Sequence, residues 1–271
     1  MNELTKLVSL ADFDRATLVS PVSDRPGEFA GDLDEGWSSL AGVHGGYMCA
    51  VAVRGAEAHA PGRAVRTVAT SFLRPGHVGP VEMAVREIRQ GRSFTTLDVD
   101  LVQDDRLVLT TRVTMMEDRP GVEWGEPVVV DLPPPHRCVP FTPQGEVVHF
   151  ARLESAFDPN RMPFDPGSGS VSGYVRPLEP RPIDAAWLVM ACDWFPPPAF
   201  SRTEAPVGGV SIDFTAHIHR QGLILGVGEW LVGTFEVPTS SAGLGVEHGR
   251  LTTMDGTVVA ESFQTRLTTQ G

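Results

Sequence analysis

The sequence has few cysteines, no long apolar run and no excess of basic residues. Its three cysteines, Cys49, Cys138 and Cys192, are widely spaced and form no CxxC pair. They therefore suit a reducing cytoplasm and provide no zinc site. No stretch approaches the length of a membrane span, so no membrane association is expected. The formal net charge of −12 disfavours a nucleic-acid backbone as a partner.

Signals for targeting, metal binding and several kinds of catalysis are also missing. The segment up to Asp14 carries acidic residues and lacks the cationic start of a signal peptide, which agrees with a cytoplasmic location. There is no G-x-S-x-G motif, so an α/β-hydrolase is disfavoured, and there is no H-E-x-x-H motif or phosphate-binding loop. His217 and His219 have no carboxylate or cysteine at metal-ligand spacing, and no metal is expected.

The sequence does contain a distinctive apolar stretch that lies between two proline signals. Pro182 suits the first turn of a helix, and Pro196–Pro198 prevent its continuation. The residues between them are apolar on nearly every face, which predicts a buried helix over residues 182–194. Asp193 falls in the last turn, where the helix dipole and the apolar surroundings both disfavour a carboxylate. Catalysis would explain it there, and so would an ion pair with an arginine or a cap on the following loop.

The order of predicted elements occurs twice along the chain. In each half a short strand precedes a long buried helix, and four strand-like runs follow. The first half has a strand near 28–35, a helix over 47–60 and strands near 65–73, 80–90, 92–103 and 106–116. The second half has a strand near 171–176, the helix over 182–194 and strands near 208–219, 224–237, 241–254 and 257–268. Because the final hairpin turns also align, at Asp104–Asp105 and Asp255–Gly256, the order indicates an internal duplication.

A proline-rich segment divides the two halves. Seven prolines between residues 118 and 145 disfavour regular structure there and predict a semi-rigid connector. We expect an N-terminal lobe over residues 1–117, a linker over 118–147 and a C-terminal lobe over 148–271. One helix wrapped by a strongly bent antiparallel sheet is the hot dog arrangement. Two copies in one chain therefore predict an α+β double hot dog fold.

Short motifs in both halves occur in the order found in a known family. They are Gly42-Val-His-Gly-Gly46, Phe72-Leu-Arg-Pro-Gly76 and Gly91-Arg-Ser93, then Asp193, Ser211-Ile-Asp213 and Val259-Ala-Glu-Ser-Phe-Gln264. Over roughly residues 28–117 and 170–268 the chain resembles the type II (TesB-like) acyl-CoA thioesterases. The resemblance implies a thioester hydrolase of fatty acid metabolism that converts an acyl-CoA to a carboxylic acid and coenzyme A. Coenzyme A is then part of the substrate, and no separate cofactor is expected.

The resemblance also implies a set of catalytic residues. In that family an aspartate, a threonine or serine, and a glutamine hold a water molecule, and the matching residues here are Asp193, Ser211 and Gln264. A thioester is already activated, so its hydrolysis needs a positioned water, a proton acceptor and donors for the oxyanion. Asp213 stays a rival to Asp193, because alternation along its strand does not show which face meets the helix.

Residues near the start of the first helix are candidates for substrate binding. The N–H groups of Gly45 and Gly46 are expected oxyanion donors, because a helix start leaves donors unpaired and has positive potential. His44 is either a base or a cap on the helix entry. Three arginines either meet the phosphates of coenzyme A or form surface salt bridges: Arg74, Arg92 and Arg220.

Two other functions remain open at this point. A non-catalytic acyl-CoA or lipid-binding protein would keep the cleft and lose turnover. A related hot dog enzyme would hydrate or dehydrate a thioester, although the D-x-x-x-x-H pair of such hydratases is not visible at a helix start. Because hot dog sheets expose edges and faces that usually pair, we expect a homodimer or a higher homo-oligomer.

Overall fold

A computed structural model describes residues 12–117, 119–141, 147–167, 169–202, 209–226 and 228–268. The first eleven residues, and positions 118 and 142–146 of the predicted linker, lie outside the described residues. The α-helices in the described part are α1 (Asp12–Ala16), α2 (Gly45–His59) and α3 (Ala185–Ala191). None of these helices is long and apolar enough to cross a membrane.

Most of the described strands form one antiparallel sheet. The first half contains β1 (Val19–Pro21), β2 (Glu28–Leu33), β3 (Ser38–Ser39), β4 (Gly42–Val43), β5 (Ala64–Phe72), β6 (Gly79–Gln90), β7 (Phe94–Gln103) and β8 (Arg106–Met116). The second half contains β9 (Val139–Pro140), β10 (Leu153–Phe157), β11 (Ser170–Pro177), β12 (Pro182–Ile183), β13 (Ser211–Ile218), β14 (Leu223–Ile224), β15 (Leu231–Ser241), β16 (Leu244–Thr253) and β17 (Val258–Leu267). The main sheet has the order β1-β2-β6-β7-β8-β5-β13-β17-β16-β15-β11-β10-β9, while β3 pairs with β4 and β12 pairs with β14.

The two lobes meet where β5 pairs with β13. This antiparallel pairing joins Thr67–Ser71 of the first lobe to Asp213–His217 of the second. Helix α2 packs on β5–β8, helix α3 packs on β5 and β13, and the two helices contact each other. The predicted α+β double hot dog fold is confirmed, and the seam brings the start of α2 close to the end of α3.

Helix α3 is shorter than the predicted helix over 182–194. Pro182 and Ile183 pair with β14 as a short strand, so Pro182 does not occupy the first helical turn. Asp184 is the N-cap, and its carboxylate accepts a hydrogen bond from the N–H of Trp187 at 2.9 Å. The helix ends at Ala191, so Asp193 lies beyond its C-cap and not in its last turn. Every residue of α3 is buried, as its apolar sequence predicts.

The five strands predicted in the first lobe agree with β2 and β5–β8 to within two residues at each end, while β1, β3 and β4 were not predicted. The second lobe differs more. The strand predicted over 224–237 is wrong in position, because β15 runs from Leu231 to Ser241. Leu223 and Ile224 instead pair with β12, and Glu229 closes a turn onto Gly226 before β15 begins. Strand β10 was not predicted, and it gives the connector strand β9 a partner.

The outer strands of the main sheet are short and contain proline. Strand β1 has three residues and ends at Pro21, and β9 has two residues and ends at Pro140. Proline and short length both protect a sheet edge from pairing with another chain. The expectation that edges drive assembly therefore loses its physical basis here, and a homodimer or higher oligomer stays a prediction.

A charged cluster fixes the start of α3 against the rest of the fold. Besides capping the helix, the Asp184 carboxylate accepts hydrogen bonds from Arg54 of α2 at 2.9 Å and from Arg181 at 2.6 Å. Arg181 is only 7% exposed and also pairs with Asp14 of α1. The Asp184 carboxylate thus joins α3 to α2 directly and to α1 through Arg181 and Asp14, and the buried Arg181 guanidinium depends partly on it.

Replacing Asp184 tests this connection. We expect Asp184→Ala to lower the free energy of unfolding by roughly 2–3 kcal/mol, because it removes both the cap and an ion-pair partner of Arg181. Asp184→Asn keeps an oxygen for the Trp187 N–H and should lose about 1 kcal/mol less. Urea unfolding followed by circular dichroism measures both. Equal losses for the two variants would contradict the capping role.

Candidate active site

The Asp193 carboxylate lies in a buried polar cluster between the two lobes. Its Oδ2 atom accepts a hydrogen bond from the N–H of Gly46 at 2.8 Å, at the start of α2. Its Oδ1 atom accepts from Gln264 Nε2 at 2.9 Å and from Arg266 Nη2 at 3.0 Å, both on β17. The side chain is therefore badly placed for the dipole of α3 but well placed for that of α2, whose positive end it meets.

Gln264 connects Asp193 to Ser211. Its side chain is 1% exposed, and Nε2 donates to Asp193 Oδ1 and to Ser211 Oγ. The amide oxygen accepts from Arg266 Nη2 at 2.8 Å. Because a guanidinium can only donate, this contact fixes which end of the amide faces Arg266. The structure thus brings together all three residues that the family resemblance implies.

An irregularity in β13 separates Ser211 from Asp213. Ser211 pairs with Arg266 on β17, and Asp213 pairs with its neighbour Thr265, so Ile212 is an extra residue. Such a bulge reverses the facing of the residues before it. Ser211 consequently points inward to the cluster, while Asp213 is exposed and accepts a hydrogen bond from Thr265 Oγ1 at 3.0 Å. Asp213 is not part of the buried cluster.

Arg266 and Glu247 belong to the cluster and were not predicted. The Arg266 side chain is 6% exposed, and its Nε donates to Glu247 Oε2 at 2.8 Å. Its Nη1 atom donates to Ser211 Oγ at 3.0 Å and to the carbonyl oxygen of Gly209 at 3.1 Å. One sequence signal was available, since Arg266 is two residues from Gln264 and must share its face of the strand. A buried arginine on that face requires carboxylate partners.

The electrostatics of the cluster keep Asp193 ionised. Burial alone would raise the pKa of its carboxyl group, but His44, Arg266 and the hydrogen bonds from Gln264 and Gly46 together lower that pKa below its ordinary value. Burial raises the pKa of Glu247, and the Arg266 guanidinium opposes that rise. The cluster contains one guanidinium and two carboxylates, so its charge is not fully balanced.

His44 caps α2 and also contacts Asp193. Its Nδ1 atom accepts a hydrogen bond from the N–H of Tyr47 at 3.2 Å, so a neutral ring carries its proton on Nε2. That Nε2 lies 2.9 Å from the backbone oxygen of Asp193 and 3.5 Å from Oδ2. Burial lowers the pKa of His44, which favours this neutral form. The helix-cap interpretation of His44 agrees with these contacts.

A second imidazole, His149, stacks on His44. The two ring centroids are 4.5 Å apart, and His149 Nδ1 is 3.2 Å from the carbonyl oxygen of Ser38. Burial and the neighbouring imidazole lower the pKa of His149 to about 3, so its ring is neutral at physiological pH. No sequence pattern predicts that His149 lies near Asp193. It belongs to the 3-10 helix over Val148–Arg152, which follows the connector.

Glycine is required where α2 meets Asp193. A Cβ atom on Gly46 would lie 2.8 Å from Asp193 Cβ and 2.9 Å from the carbonyl oxygen of Met190. A Cβ atom on Gly45 would lie 3.1 Å from Asp193 Oδ2. Both glycines therefore let the carboxylate approach the helix backbone. The Gly46 N–H is already bonded to Asp193, so an oxyanion role for it requires a ligand that replaces this bond.

The three candidate arginines lie apart from one another. Arg92 is exposed on the turn between β6 and β7, beyond the C-terminal end of α2, where Arg63 contacts Thr95. Because α2 has 15 residues, this turn is about 22 Å from the Gly46 end. The structure therefore does not bring Arg92 to the Asp193 cluster. Arg220 pairs with Glu123 of the connector at 3.6 Å.

Arg74 lies near the start of α2. It follows β5 and donates a hydrogen bond to the carbonyl oxygen of Leu107 at 2.8 Å. Two residues later, the carbonyl oxygen of Gly76 accepts from the N–H of Val43, just before α2.

Within the described residues, no group of three or more His, Cys, Asp or Glu side chains could hold a metal ion.

The fold and the cluster define a protein of two tandem hot dog lobes with a carboxylate-centred polar site at their junction. A family model described as the acyl-CoA thioesterase N-terminal domain matches residues 33–116. A second, described as the acyl-CoA thioesterase C-terminal domain, matches residues 130–268. The chain belongs to the acyl-CoA thioesterase family, which confirms the resemblance drawn from its motifs.

Curated relatives cover only part of this architecture. Uncharacterized proteins of Mycobacterium tuberculosis (strain H37Rv) and Mycobacterium bovis are 29% identical over 174 residues, which is 54% of this chain and 60% of each relative. The chain therefore spans less than two thirds of the length of the curated relatives it matches. These relatives carry no assigned activity.

Several solved structures share the fold over nearly the whole chain. A conserved protein of unknown function with a hot dog fold from Alicyclobacillus acidocaldarius has a TM-score of 0.84 and 22% identity, covering 97% of this chain and 99% of that one. The TesB protein of Mycobacterium avium subspecies paratuberculosis has a TM-score of 0.78 and 21% identity, covering 95% and 98%. An acyl-CoA thioesterase II, TesB2, from Mycobacterium marinum has a TM-score of 0.71 and 19% identity, covering 96% and 97%.

The close approach of α2 to Asp193 can be tested at Gly46. We expect Gly46→Ala to lower the free energy of unfolding by roughly 1–3 kcal/mol, because its new methyl group overlaps the Met190 carbonyl oxygen and the Asp193 Cβ atom. Gly55→Ala in the same helix is the matched control, since its Cβ would meet the flexible Met83 thioether at 3.3 Å. The control should be neutral or gain up to about 1 kcal/mol from helix propensity. Thermal unfolding with equal results for both variants would contradict the predicted overlap.

Proposed function

We propose that this chain is an acyl-CoA thioesterase that hydrolyses an acyl-CoA to a free carboxylic acid and coenzyme A. The observation that carries the proposal is the buried set of hydrogen bonds among Asp193, Gln264 and Ser211 at the start of α2. Family membership supports the same substrate class. Water attacks the thioester carbonyl directly, so neither a covalent intermediate nor a metal takes part in the proposed mechanism.

The hydrogen bonds within the cluster leave specific atoms for a water molecule. The Asp193 carboxylate offers about four acceptor positions, and three protein donors occupy three of them. Both N–H groups of the Gln264 amide are engaged, but its oxygen accepts only one bond, from Arg266. Asp193 and the Gln264 oxygen can therefore each accept a hydrogen bond from one water molecule, which directs the lone pair of that water at the substrate.

Ser211 is arranged as a donor. Its oxygen accepts from Gln264 and from Arg266, which fills both acceptor positions of a hydroxyl group. The remaining O–H can be donated to the water or to the developing oxyanion. Ser211 therefore donates to the water, whereas Gln264 accepts from it. Threonine would supply the same hydroxyl group, so serine can take its place.

The start of α2 supplies positive potential for the oxyanion. The N–H groups of Gly45 and Gly46 belong to the first turn, where backbone donors have no intrahelical partner. As the water proton moves to Asp193, the carboxylate loses its charge and its hold on the Gly46 N–H weakens. That donor then becomes available to the oxyanion. Of the three candidate arginines, Arg74 lies at this end of α2, and its role at a coenzyme A phosphate stays a prediction.

The contact with Arg266 favours one alternative function. A carboxylate bound to a guanidinium has a lowered pKa and is a weaker base. A non-catalytic acyl-CoA-binding protein could keep such an ion pair for stability alone. In that case acyl-CoA would raise the melting temperature of the protein without release of thiol.

Replacing Asp193 tests the mechanism. We expect Asp193→Asn to reduce kcat for acyl-CoA hydrolysis by at least about a hundredfold, the usual contribution of a general base. Asp213→Asn is the matched control and should keep full activity, because Asp213 is exposed. Thiol release from short, medium and long acyl-CoAs measures both variants. Full activity of a folded Asp193→Asn variant, or loss in the Asp213→Asn control, would contradict the assignment.

The ion pair predicts a pH dependence. Because the pKa of Asp193 is lowered, kcat/KM should fall only at a pH below the ordinary pKa of an aspartate carboxyl group, where the carboxylate becomes protonated. In the double variant Arg266→Met, Glu247→Gln the guanidinium is absent and no unpaired buried carboxylate remains at Glu247. The pKa of Asp193 should then rise, and the acid limb of the pH profile should move up by about one unit or more.

The single variant Glu247→Gln is the control for the double variant. It keeps Arg266 next to Asp193, so its acid limb should stay at or below that of the unmodified protein. Rates are compared over the pH range in which circular dichroism shows folded protein. An unshifted acid limb in the double variant would exclude Arg266 as the group that lowers the pKa of Asp193.

A further inference from the structure

The end of the connector forms one side of the candidate active site. Its 3-10 helix, Val148–Arg152, is bound to two carbonyl oxygens of the N-terminal lobe. His149 Nδ1 lies 3.2 Å from the oxygen of Ser38, and Arg152 Nε donates to that of Gly36 at 2.9 Å. Ser38 belongs to β3, whose partner β4 ends just before α2. This 3-10 helix therefore holds His149 against the segment that leads into α2.

The hydrogen bonds of the two stacked imidazoles determine where their protons lie. A carbonyl oxygen can only accept, so His149 Nδ1 carries the proton that faces Ser38. His44 has the opposite tautomer, since its Nδ1 accepts from the N–H of Tyr47 and its Nε2 donates to the backbone oxygen of Asp193. A charged His44 ring would carry a proton on both nitrogens, and its Nδ1–H would then face the Tyr47 N–H. The neutral ring alone satisfies both contacts.

The charge of the His44 ring affects how well Asp193 can act as a base. His44 Nε2 is 3.5 Å from Asp193 Oδ2, the same oxygen that accepts from the N–H of Gly46. A positive charge on the ring would give Asp193 a second ion pair in addition to that with Arg266. A nearby opposite charge stabilises a carboxylate and weakens it as a base. A neutral His44 therefore leaves Asp193 better able to take the proton of the water.

The groups that surround His44 come from several elements of the fold. Burial and, to a lesser extent, Arg266 on β17 lower the pKa of His44, whereas Asp193 beyond α3 raises it. The His149 ring lies on one face of His44 at a centroid distance of 4.5 Å, and Trp194 approaches edge to face at 6.2 Å. His149 carries no charge itself, because burial and His44 lower its pKa to about 3. Its ring can therefore exclude water from His44 without adding a charge beside it.

We propose that His149 is a positioning residue whose ring covers one face of His44 against water and so keeps His44 neutral beside Asp193. The proposal rests on the proposed thioesterase function, in which Asp193 takes the proton of the attacking water. His149 acts on Asp193 through His44, by its packing, and takes no proton in the reaction. The connector thereby contributes a side chain to the active site as well as joining the lobes.

Two substitutions separate the ring of His149 from its hydrogen bond to Ser38. His149→Phe keeps a flat ring against His44 and loses the donor, whereas His149→Asn keeps a donor near the Nδ1 position and loses the ring. In His149→Asn water reaches His44, whose pKa should rise towards the ordinary histidine value. One pH unit below that value, kcat should be roughly tenfold lower than one unit above it, while KM changes by less than about twofold. In His149→Phe and the unmodified protein the two rates should differ by less than about twofold.

A double variant tests whether His149 acts through His44. Asparagine at position 44 can still cap α2 but cannot be protonated. The double variant His44→Asn, His149→Asn should therefore have the same pH dependence of kcat as His44→Asn alone. A difference between these two proteins would overturn the action through His44. Equal pH profiles for His149→Phe and His149→Asn, each shown to be folded by circular dichroism, would overturn the role of the ring.

Nuclear magnetic resonance titration of the His44 ring separates this inference from the thioesterase function. The ring signal of His44 is assigned by its loss in His44→Asn. It should titrate at a clearly higher pH in His149→Asn than in His149→Phe or the unmodified protein. If acyl-CoAs are hydrolysed but His44 titrates alike in all three proteins, the inference is overturned and the function stands. If the titration differs as expected but no acyl-CoA releases thiol, the packing role of His149 stands and the function is overturned.

Discussion

The buried contact between the Asp193 carboxylate and the start of α2 is the interaction on which the site depends. Its donors come from both lobes, because Gly46 belongs to the first and Gln264 and Arg266 belong to the second. Both lobes are needed for the full set of hydrogen bonds to Asp193, and a buried carboxylate that lacks partners is strongly unfavourable. The pairing of β5 with β13 therefore does more than extend the sheet. This pairing brings the start of α2 next to the Asp193 carboxylate, which follows the end of α3.

The same bonds that stabilise the carboxylate also limit its chemistry. Arg266 and the donated hydrogen bonds hold Asp193 in its ionised form, which is the form a general base needs. They also lower its affinity for a proton, which makes it a weaker base. A thioester is already activated and therefore makes a smaller demand on that base than an ordinary amide or ester does.

Sequence pattern and family resemblance together predicted the fold, the bounds of most long strands and three members of the cluster. Asp193 stood out because a carboxylate is costly among apolar residues, and that argument depends only on local sequence. Two features could not be predicted in this way. The extra residue Ile212 in β13 breaks the alternation that made Asp213 a rival, and a bulge depends on the partner strand. Arg266 and Glu247 meet across two strands whose register no single-sequence pattern specifies.

Arg92 shows how helix geometry limits what a motif match implies, although its role at a coenzyme A phosphate stays a prediction. Its Gly-Arg-Ser motif opens a strand as expected, yet the hairpin places it beyond the far end of α2. Helix length keeps Arg92 away from the reacting atoms, because a helix of 15 residues separates its two ends by about 22 Å. Residues at the Gly46 end can share a substrate with Asp193, and residues past His59 cannot touch the same reacting atoms. A predicted helix therefore also predicts which flanking residues can act together, and that test needs only the sequence.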